Sequence, residues 1–186
     1  MGYKKSPSKR AAPVRLDEAK LLDYALNSLS RRAHSEKELR TRLARRADSQ
    51  GAVDGVVTKL REYGYVDDAR FAEGYAAARL ETRGHGKMRV LRDLRARSVD
   101  SAHAQKAVEM VFSETNEVEL IEQYLARKYR GKVMHEFLAD PKNLAAAYRR
   151  LRVAGFASGP SIKVLKRHSE RADELEDSEE SVEASE

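Results

Sequence analysis

Arginine side chains recur at three-residue intervals in three separate stretches of the chain. These arginines are Arg42 and Arg45, then Arg89, Arg92 and Arg95, then Arg149 and Arg152. Helical residues three apart share one face, so each stretch predicts a basic stripe. A planar guanidinium donates two parallel N–H bonds to a phosphate, so the stripes predict contact with nucleic acid or with a binding partner. A plain solvated helix face is the alternative interpretation.

A nucleotide-binding loop is the first catalytic candidate, at Gly84-His85-Gly86-Lys87. A phosphate-binding loop needs a glycine five residues before its second glycine, and Ser or Thr after the lysine. Those positions hold Glu81 and Met88. The segment is therefore not predicted to bind a nucleotide in that way.

Metal ligands and paired catalytic carboxylates are equally poorly supported. The chain has no cysteine, and its five histidines are dispersed, so each histidine is predicted to lie at the surface or in a loop. Asp67 and Asp68 are adjacent carboxylates, but capping of the following helix explains them more simply. The sequence predicts no catalytic residue, no metal site and no cofactor.

Helical spacing of apolar residues dominates the chain between its charged ends. Asp17, Ser35 and Asp100 stand where N-caps are expected. A loop is predicted around 131–141. The pattern predicts an all-α protein of about nine helices, near residues 17–30, 35–46, 52–63, 68–83, 87–97, 100–112, 117–130, 142–153 and 159–168.

One stretch is predicted to be a structural joint, formed by Gly64, Tyr65, Asp67, Asp68 and Phe71. Glycine adopts the left-handed conformation at low cost just after a helix end, so Gly64 is predicted to stop the third helix. The two aspartates then cap the fourth helix. The sequence Gly155-Phe156 predicts a similar stop later in the chain.

Spacing also indicates an internal repeat of about fifty residues. Tyr24, Tyr75 and Tyr124 lie 51 and 49 residues apart, and Leu39 precedes Val90 by 51. We therefore expect three three-helix repeats in an elongated, curved stack, although a single nine-helix domain with chance periodicity is the alternative. The predicted segments are a disordered basic arm at 1–15, repeats at 16–66, 67–114 and 115–168, and a disordered acidic tail at 169–186.

Charge is distributed unevenly along these segments. The chain of 186 residues has a formal net charge of +6, but residues 1–15 carry +5 and residues 169–186 carry −8. A basic helical body favours an anionic partner such as nucleic acid. No run of 18 apolar residues occurs, so no membrane span is predicted, and we expect a cytoplasmic monomer.

Three segments resemble the RecX family of bacterial recombinase regulators. They are ALNSLSRRAHSEKELRTRL at Ala25–Leu43, LREYGYVDDARFAEGYAAAR at Leu60–Arg79, and RVLRDL at Arg89–Leu94 following Gly86. The resemblance covers about 17–113 and continues more loosely through Tyr124–Lys128 and Arg152–Phe156. One departure is Ser98-Val99, where the family has Lys-Gly-Ile/Val, so the turn between the fifth and sixth helices is expected to differ.

The resemblance implies a function without catalysis. Proteins of this family bind the RecA filament on single-stranded DNA within its groove and inhibit its ATPase, strand-exchange and coprotease activities. The implied partners are therefore the RecA filament and single-stranded or duplex DNA. Two alternatives remain open: a general DNA-binding module of helix-turn-helix-like repeats, which predicts one dominant recognition helix, and a helical adaptor unrelated to DNA.

Overall fold

Residues 15–173 and Leu175 are described in a computed structural model of the protein. Ten α-helices and one short 3₁₀ helix form this part of the chain, together with one isolated bridge between Leu16 and Ala47. The all-α prediction is confirmed. The helices are α1 (Glu18–Leu29), α2 (Glu36–Ala44), α3 (Gln50–Glu62), α4 (Asp68–Arg83), α5 (Lys87–Ala96), α6 (Ser101–Val111), α7 (Glu117–Lys128), α8 (Met134–Leu138), α9 (Pro141–Ala154) and α10 (Ser158–Lys166).

The chain divides into two compact units, Met1–Asp67 and Asp68–Glu186. In the first unit, α1 and α2 both pack on α3. Each helix contributes one apolar face, as the sequence spacing predicts. The fully enclosed side chains of this core are Leu21, Ala25, Leu39, Leu43, Val56, Val57 and Leu60.

The second unit contains α4 to α10 around a single hydrophobic core. The predicted boundary between the second and third repeats, at 114/115, falls inside this unit. The main contacts of this unit are between α4 and α6, α7 and α10, α5 and α6, and α9 and α10. Its fully enclosed side chains include Val90, Leu94, Ile121, Leu138, Leu151, Phe156 and Leu165.

Helix α8 is a correction to the loop predicted over 131–141, and it raises the number of α-helices in the described residues from about nine to ten. Its five residues are too few for a periodic pattern to be visible in the sequence. Tertiary contacts hold it instead: Leu138 is fully buried, and the Phe137 ring lies 4.9 Å from that of Tyr129.

The start of α5 abuts the end of α9 within the second unit. The backbone N–H groups of Gly86 and Met88 donate to the carbonyl oxygens of Ala154 and Gly155, at 2.9 and 3.1 Å. A Cβ on Gly86 would lie 2.3 Å from the Gly155 oxygen, and one on Gly155 would lie 2.2 Å from the Arg89 nitrogen. Only glycine at both positions permits this approach of the two backbones.

Three helices end in the same hydrogen-bonded turn, in which a residue with positive φ follows the helix. After α3, Gly64 has φ +70°, and the Tyr65 N–H donates to the Leu60 carbonyl at 2.8 Å. After α9, Gly155 has φ +93°, and the Phe156 N–H donates to the Leu151 carbonyl at 3.1 Å. The helix stops predicted at Gly64 and Gly155 are therefore confirmed.

The third such turn follows α5 and uses Ser98 at φ +60° in place of a glycine. The Ser98 N–H donates to the Arg95 carbonyl at 2.8 Å and the Val99 N–H to the Leu94 carbonyl at 3.2 Å. That this turn differs from the one in the family stays a prediction. Two backbone hydrogen bonds and the burial of Val99 keep the conformation despite the side chain.

The predicted disordered ends are partly corrected. Arg15 is described, and its guanidinium donates to the Ala47 carbonyl at 3.2 Å; residues 1–14 lie outside the described residues. The predicted tail began at residue 169, yet a 3₁₀ helix forms at Glu170–Asp173. Ala172 is fully buried there, and Lys166 pairs with Asp173 at 2.5 Å. Residues 174 and 176–186 are outside the described part.

Replacement of Ser98 by glycine should stabilise the protein. A non-glycine residue in the left-handed region costs about 1 kcal/mol, and glycine removes that cost. We expect Ser98→Gly to raise the free energy of unfolding in urea by about 0.5–1 kcal/mol. Ser98→Ala keeps the Cβ and serves as the control. Equal stability of the two variants would contradict strain at this position.

Candidate nucleic-acid and partner interface

The first predicted stripe lies on α2 in the first unit. Arg42 and Arg45 are both exposed, and neither pairs with a carboxylate among the described residues. The Arg42 guanidinium lies 5.8 Å from the centre of the Tyr24 ring, within the range of a cation–π contact. Both guanidiniums therefore retain N–H groups that face solvent.

The second stripe, on α5, divides into arginines with different environments. Arg89 donates to Asp93 at 3.0 Å, and Asp93 also accepts from the Tyr75 hydroxyl at 3.2 Å. Arg92 donates to the Val153 carbonyl at 3.0 Å. Arg95 is exposed and has no carboxylate partner in the described part of the chain. Of the three, only Arg95 has no internal bond there.

The two arginines of the third stripe, on α9, also have different environments. Arg152 donates to the Phe156 carbonyl at 2.9 Å, just beyond the end of its own helix. Arg149 is exposed, and within the ranges that the structure describes it pairs with no carboxylate. Arg92 and Arg152 are also exposed, but their guanidiniums donate to backbone carbonyls.

The structure brings Arg92 and Arg152 together at the C-terminal end of α9. The last carbonyls of a helix have no partner within the helix and carry partial negative charge, which cations stabilise. Arg92 binds the carbonyl of Val153 and Arg152 that of Phe156. These two side chains support the α5–α9 contact, so Arg95 and Arg149 are the better candidates for an external partner.

Tyrosine–arginine stacking is a repeated feature that we did not predict from the sequence. Arg46 lies 5.3 Å from the Tyr24 ring centre and Arg97 lies 4.8 Å from that of Tyr75. Tyr75 follows Tyr24 by 51 residues, and Arg97 follows Arg46 by the same interval. This interval is the spacing of the predicted repeat. A search for arginines at the repeat interval of the tyrosines would have found these pairs.

The segment at Gly84–Lys87 uses its backbone inside the protein. In a phosphate-binding loop, backbone N–H groups surround the phosphate. Here the N–H groups of Gly86 and Met88 donate instead to carbonyls at the end of α9. A Cβ on Gly84, which has φ +56°, would meet the Arg127 guanidinium at 2.0 Å. These contacts explain the glycines without a nucleotide.

His34 lies in the loop between α1 and α2, which agrees with the expectation that each histidine lies at the surface or in a loop, although its side chain is buried. It is 5% exposed, and its Nε2 lies 3.0 Å from the Ser28 hydroxyl. Its Nδ1 is 3.5 Å from a carboxylate oxygen of Glu38, which is longer than a hydrogen bond. Ser28 is itself 6% exposed, so this Ser–His–Glu arrangement is an internal support for the turn between α1 and α2.

Burial lowers the pKa of His34 below its ordinary value near 6.5, and the neighbouring Arg32 lowers it further. Burial also lowers the pKa of His85 in the second unit, where the charge of Arg89 acts in the same direction. Both lowered pKa values favour the neutral form of the imidazole. Neither adds positive charge to the candidate interface.

The residues of the predicted joint lie where the chain passes from one unit to the next. Gly64 ends α3, and Tyr65 is 56% exposed. Asp67 is the last residue of the first unit and Asp68 the first of the second. Phe71 packs against the second core, with its ring 6.1 Å from that of Tyr75. A capping role for the two aspartates stays a prediction.

Other kinds of site find no support in the described residues. No helix there is long and apolar enough to cross a membrane. No group of three or more histidine, aspartate or glutamate side chains in that part of the chain is placed to hold a metal ion.

The described part of the chain thus defines an all-helical protein with exposed arginines on α2, α5 and α9. Two family models match the chain, namely RecX, first three-helix domain, at residues 22–60, and RecX, second three-helix domain, at residues 67–108. The regulatory protein RecX of Syntrophotalea carbinolica is 30% identical over 134 residues, covering 72% of this chain and 86% of that protein. The chain belongs to the RecX family of regulatory proteins.

Other relatives are matched over shorter segments. The regulatory protein RecX of Halorhodospira halophila is 44% identical over 77 residues, which is 41% of this chain and 47% of that protein. The chain spans about a third to a half of the first curated relatives that it matches. The crystal structure of RecX from Lactobacillus salivarius has a TM-score of 0.63 at 20% identity, covering 81% of this chain and 96% of the other, so the fold is shared.

Replacement of Arg92 should destabilise the protein, whereas replacement of Arg95 should not. Arg92→Gln removes the bond to the Val153 carbonyl, so we expect a loss of about 0.5–1.5 kcal/mol in the free energy of unfolding. Arg95→Gln removes the same charge from the same helix and should change stability by less than about 0.5 kcal/mol. Urea unfolding followed by circular dichroism measures both. Equal losses would show that charge, and not the carbonyl bond, is responsible.

Acid should destabilise the protein through His34. Because its folded pKa is lowered, the unfolded chain binds more protons, so its stability contribution is present above about pH 6.5 and is lost as the pH falls through the folded pKa. We expect His34→Gln to reduce the decrease in unfolding free energy between about pH 7 and about pH 5. His135→Gln, at an exposed position, should keep the wild-type slope. The same slope for both variants would contradict the assignment to His34.

Proposed function

We propose that this protein is a non-catalytic regulator that binds the RecA–single-stranded DNA filament and inhibits its recombinase, ATPase and coprotease activities. The observation that carries the proposal is the match of both three-helix domains to a family of regulatory proteins. The protein would act in the cytoplasm as a monomer, and its implied processes are homologous recombination, DNA repair and the SOS response. No cofactor is required for such binding.

The exposed arginines support an anionic partner. Arg42 and Arg45 in the first unit, and Arg95 and Arg149 in the second, have no carboxylate partner among the described residues. Phosphates of the DNA strand or carboxylates of the recombinase would each accept bonds from these guanidiniums. Arg89, Arg92 and Arg152 contribute charge to the same helices while bonding internally.

The decisive experiment measures ATP hydrolysis by a preformed RecA filament with stoichiometric protein. We expect inhibition by the wild type, and weaker inhibition by the double variant Arg95→Glu/Arg149→Glu, because two contacts become repulsive. Each lost phosphate or carboxylate contact is worth about 1 kcal/mol, so the concentration for half inhibition should rise by about tenfold or more.

Lys106→Glu/Lys142→Glu is the matched control for that experiment. Both lysines are exposed, lie in the second unit and give the same change in net charge. The control should inhibit as the wild type does. Unchanged hydrolysis with the wild-type protein would refute the proposed function, and equal effects of the two double variants would refute the role of Arg95 and Arg149.

A general DNA-binding module is the second candidate, and the basic surfaces on two three-helix domains favour it. Binding that uses phosphates alone weakens steeply as salt rises, because counterions are released on binding. A salt titration of DNA binding, run beside the ATPase assay, separates the two. Inhibition that follows the salt dependence of DNA binding would favour this second candidate.

A further inference from the structure

A surface groove of about 360 Å³ lies beside the C-terminal turn of α1 in the first unit. Its lining residues are Tyr24, Asn27, Ser28, Arg31 and Arg42. The volume is at the lower end of the range of about 300–1,000 Å³ that small-molecule sites occupy. The groove is therefore large enough for a phosphate group together with part of the molecule that carries it.

The charge of the lining is positive. Arg31 follows α1 and Arg42 lies on α2, so the two guanidiniums approach from different elements. Both are exposed, and neither has a carboxylate partner in the described part of the chain. Their neighbours differ: Arg32 pairs with Glu38 at 3.2 Å, and Arg40 pairs with Glu36 at 2.9 Å.

Contact with the Tyr24 ring restricts the position of the Arg42 guanidinium. Arg42 lies 5.8 Å and Arg46 5.3 Å from the ring centre. A cation–π contact of this kind is worth about 0.5–1 kcal/mol at an exposed site. An arginine held in this way loses less conformational entropy when it binds an anion.

The inner wall of the groove is also fixed. The Ser28 hydroxyl is bonded to Nε2 of buried His34, and the Glu38 carboxylate near Nδ1 favours the tautomer with its proton on Nδ1. The Ser28 hydroxyl is thus engaged by His34 on the inner side of the groove. The other neutral donors of the lining are the exposed side-chain amide of Asn27 and the Tyr24 hydroxyl.

We propose that this groove binds the phosphate group of a nucleotide. Arg31 and Arg42 donate to phosphate oxygens, and the Asn27 amide donates a further bond. The C-terminal end of α1 has a partial negative charge of about half an elementary charge, which the two guanidiniums outweigh. The lining holds no acidic residue that would repel the ligand. This site lies within the first unit and does not depend on the regulation of a recombinase.

Nuclear magnetic resonance of the ¹⁵N-labelled full chain tests the site. The probes are thymidine monophosphate, inorganic phosphate, thymidine without phosphate, and an oligothymidine strand. We expect both phosphate-bearing thymidine probes to shift the Asn27 side-chain amide and the Arg31 and Arg42 Nε–H signals. Thymidine alone should leave these signals in place. Saturation by the monophosphate identifies a site for free nucleotides, and saturation by the strand alone identifies a site for a phosphodiester backbone.

Three variants separate the groove from general electrostatic attraction. Asn27→Ala changes the groove at constant net charge and should weaken binding of the saturating probe by about fivefold to tenfold. Arg31→Gln should weaken binding by about tenfold or more. Lys37→Gln removes one charge from an exposed position on α2 outside the groove and should change the affinity by less than about twofold.

The outcomes that overturn the proposal are equally definite. Absence of a shift at Asn27 with every phosphate-bearing probe would remove the site. Equal weakening by Lys37→Gln and Arg31→Gln, with wild-type affinity for Asn27→Ala, would show that net charge alone attracts the probes. Inhibition of a recombinase filament is measured separately, so failure here leaves the proposed function standing, and the reverse also holds.

Discussion

The contact between the start of α5 and the end of α9 constrains much of the second unit. Free N–H groups at one helix end meet free carbonyls at another, so each set satisfies the other's hydrogen bonds. The approach requires Gly86 and Gly155, because a Cβ at either position would overlap backbone atoms. It also places the helix that carries Arg95 beside the helix that carries Arg149.

This contact decides which arginines can serve an external partner. Arg92 and Arg152 lie in the predicted stripes, but their guanidiniums bind carbonyls at and just beyond the end of α9. Arg95 and Arg149 have no such bond in the residues that the structure describes. Arginines that bind carbonyls and arginines that do not are spaced by the same three residues. Sequence spacing therefore places arginines on one helix face without distinguishing their roles.

Local chemistry made several features predictable. Asp17, Ser35 and Asp100 cap their helices, since a side-chain oxygen beside free N–H groups acts over a few residues only. Gly64 stops α3 for a similarly local reason. At Ser98, two backbone hydrogen bonds and a buried valine outweigh the cost of a positive φ at a residue other than glycine.

The sequence by itself determined the all-α class, most helix limits and the 51-residue interval between equivalent tyrosines, because these depend on residue spacing within a helix. Tertiary structure alone decided the rest. Leu138 and Phe137 hold the short helix α8, and the burial of His34 follows from packing between α1 and α2. The groove beside Tyr24 also exists only once those two helices meet, since its residues are separated in the chain and joined by packing.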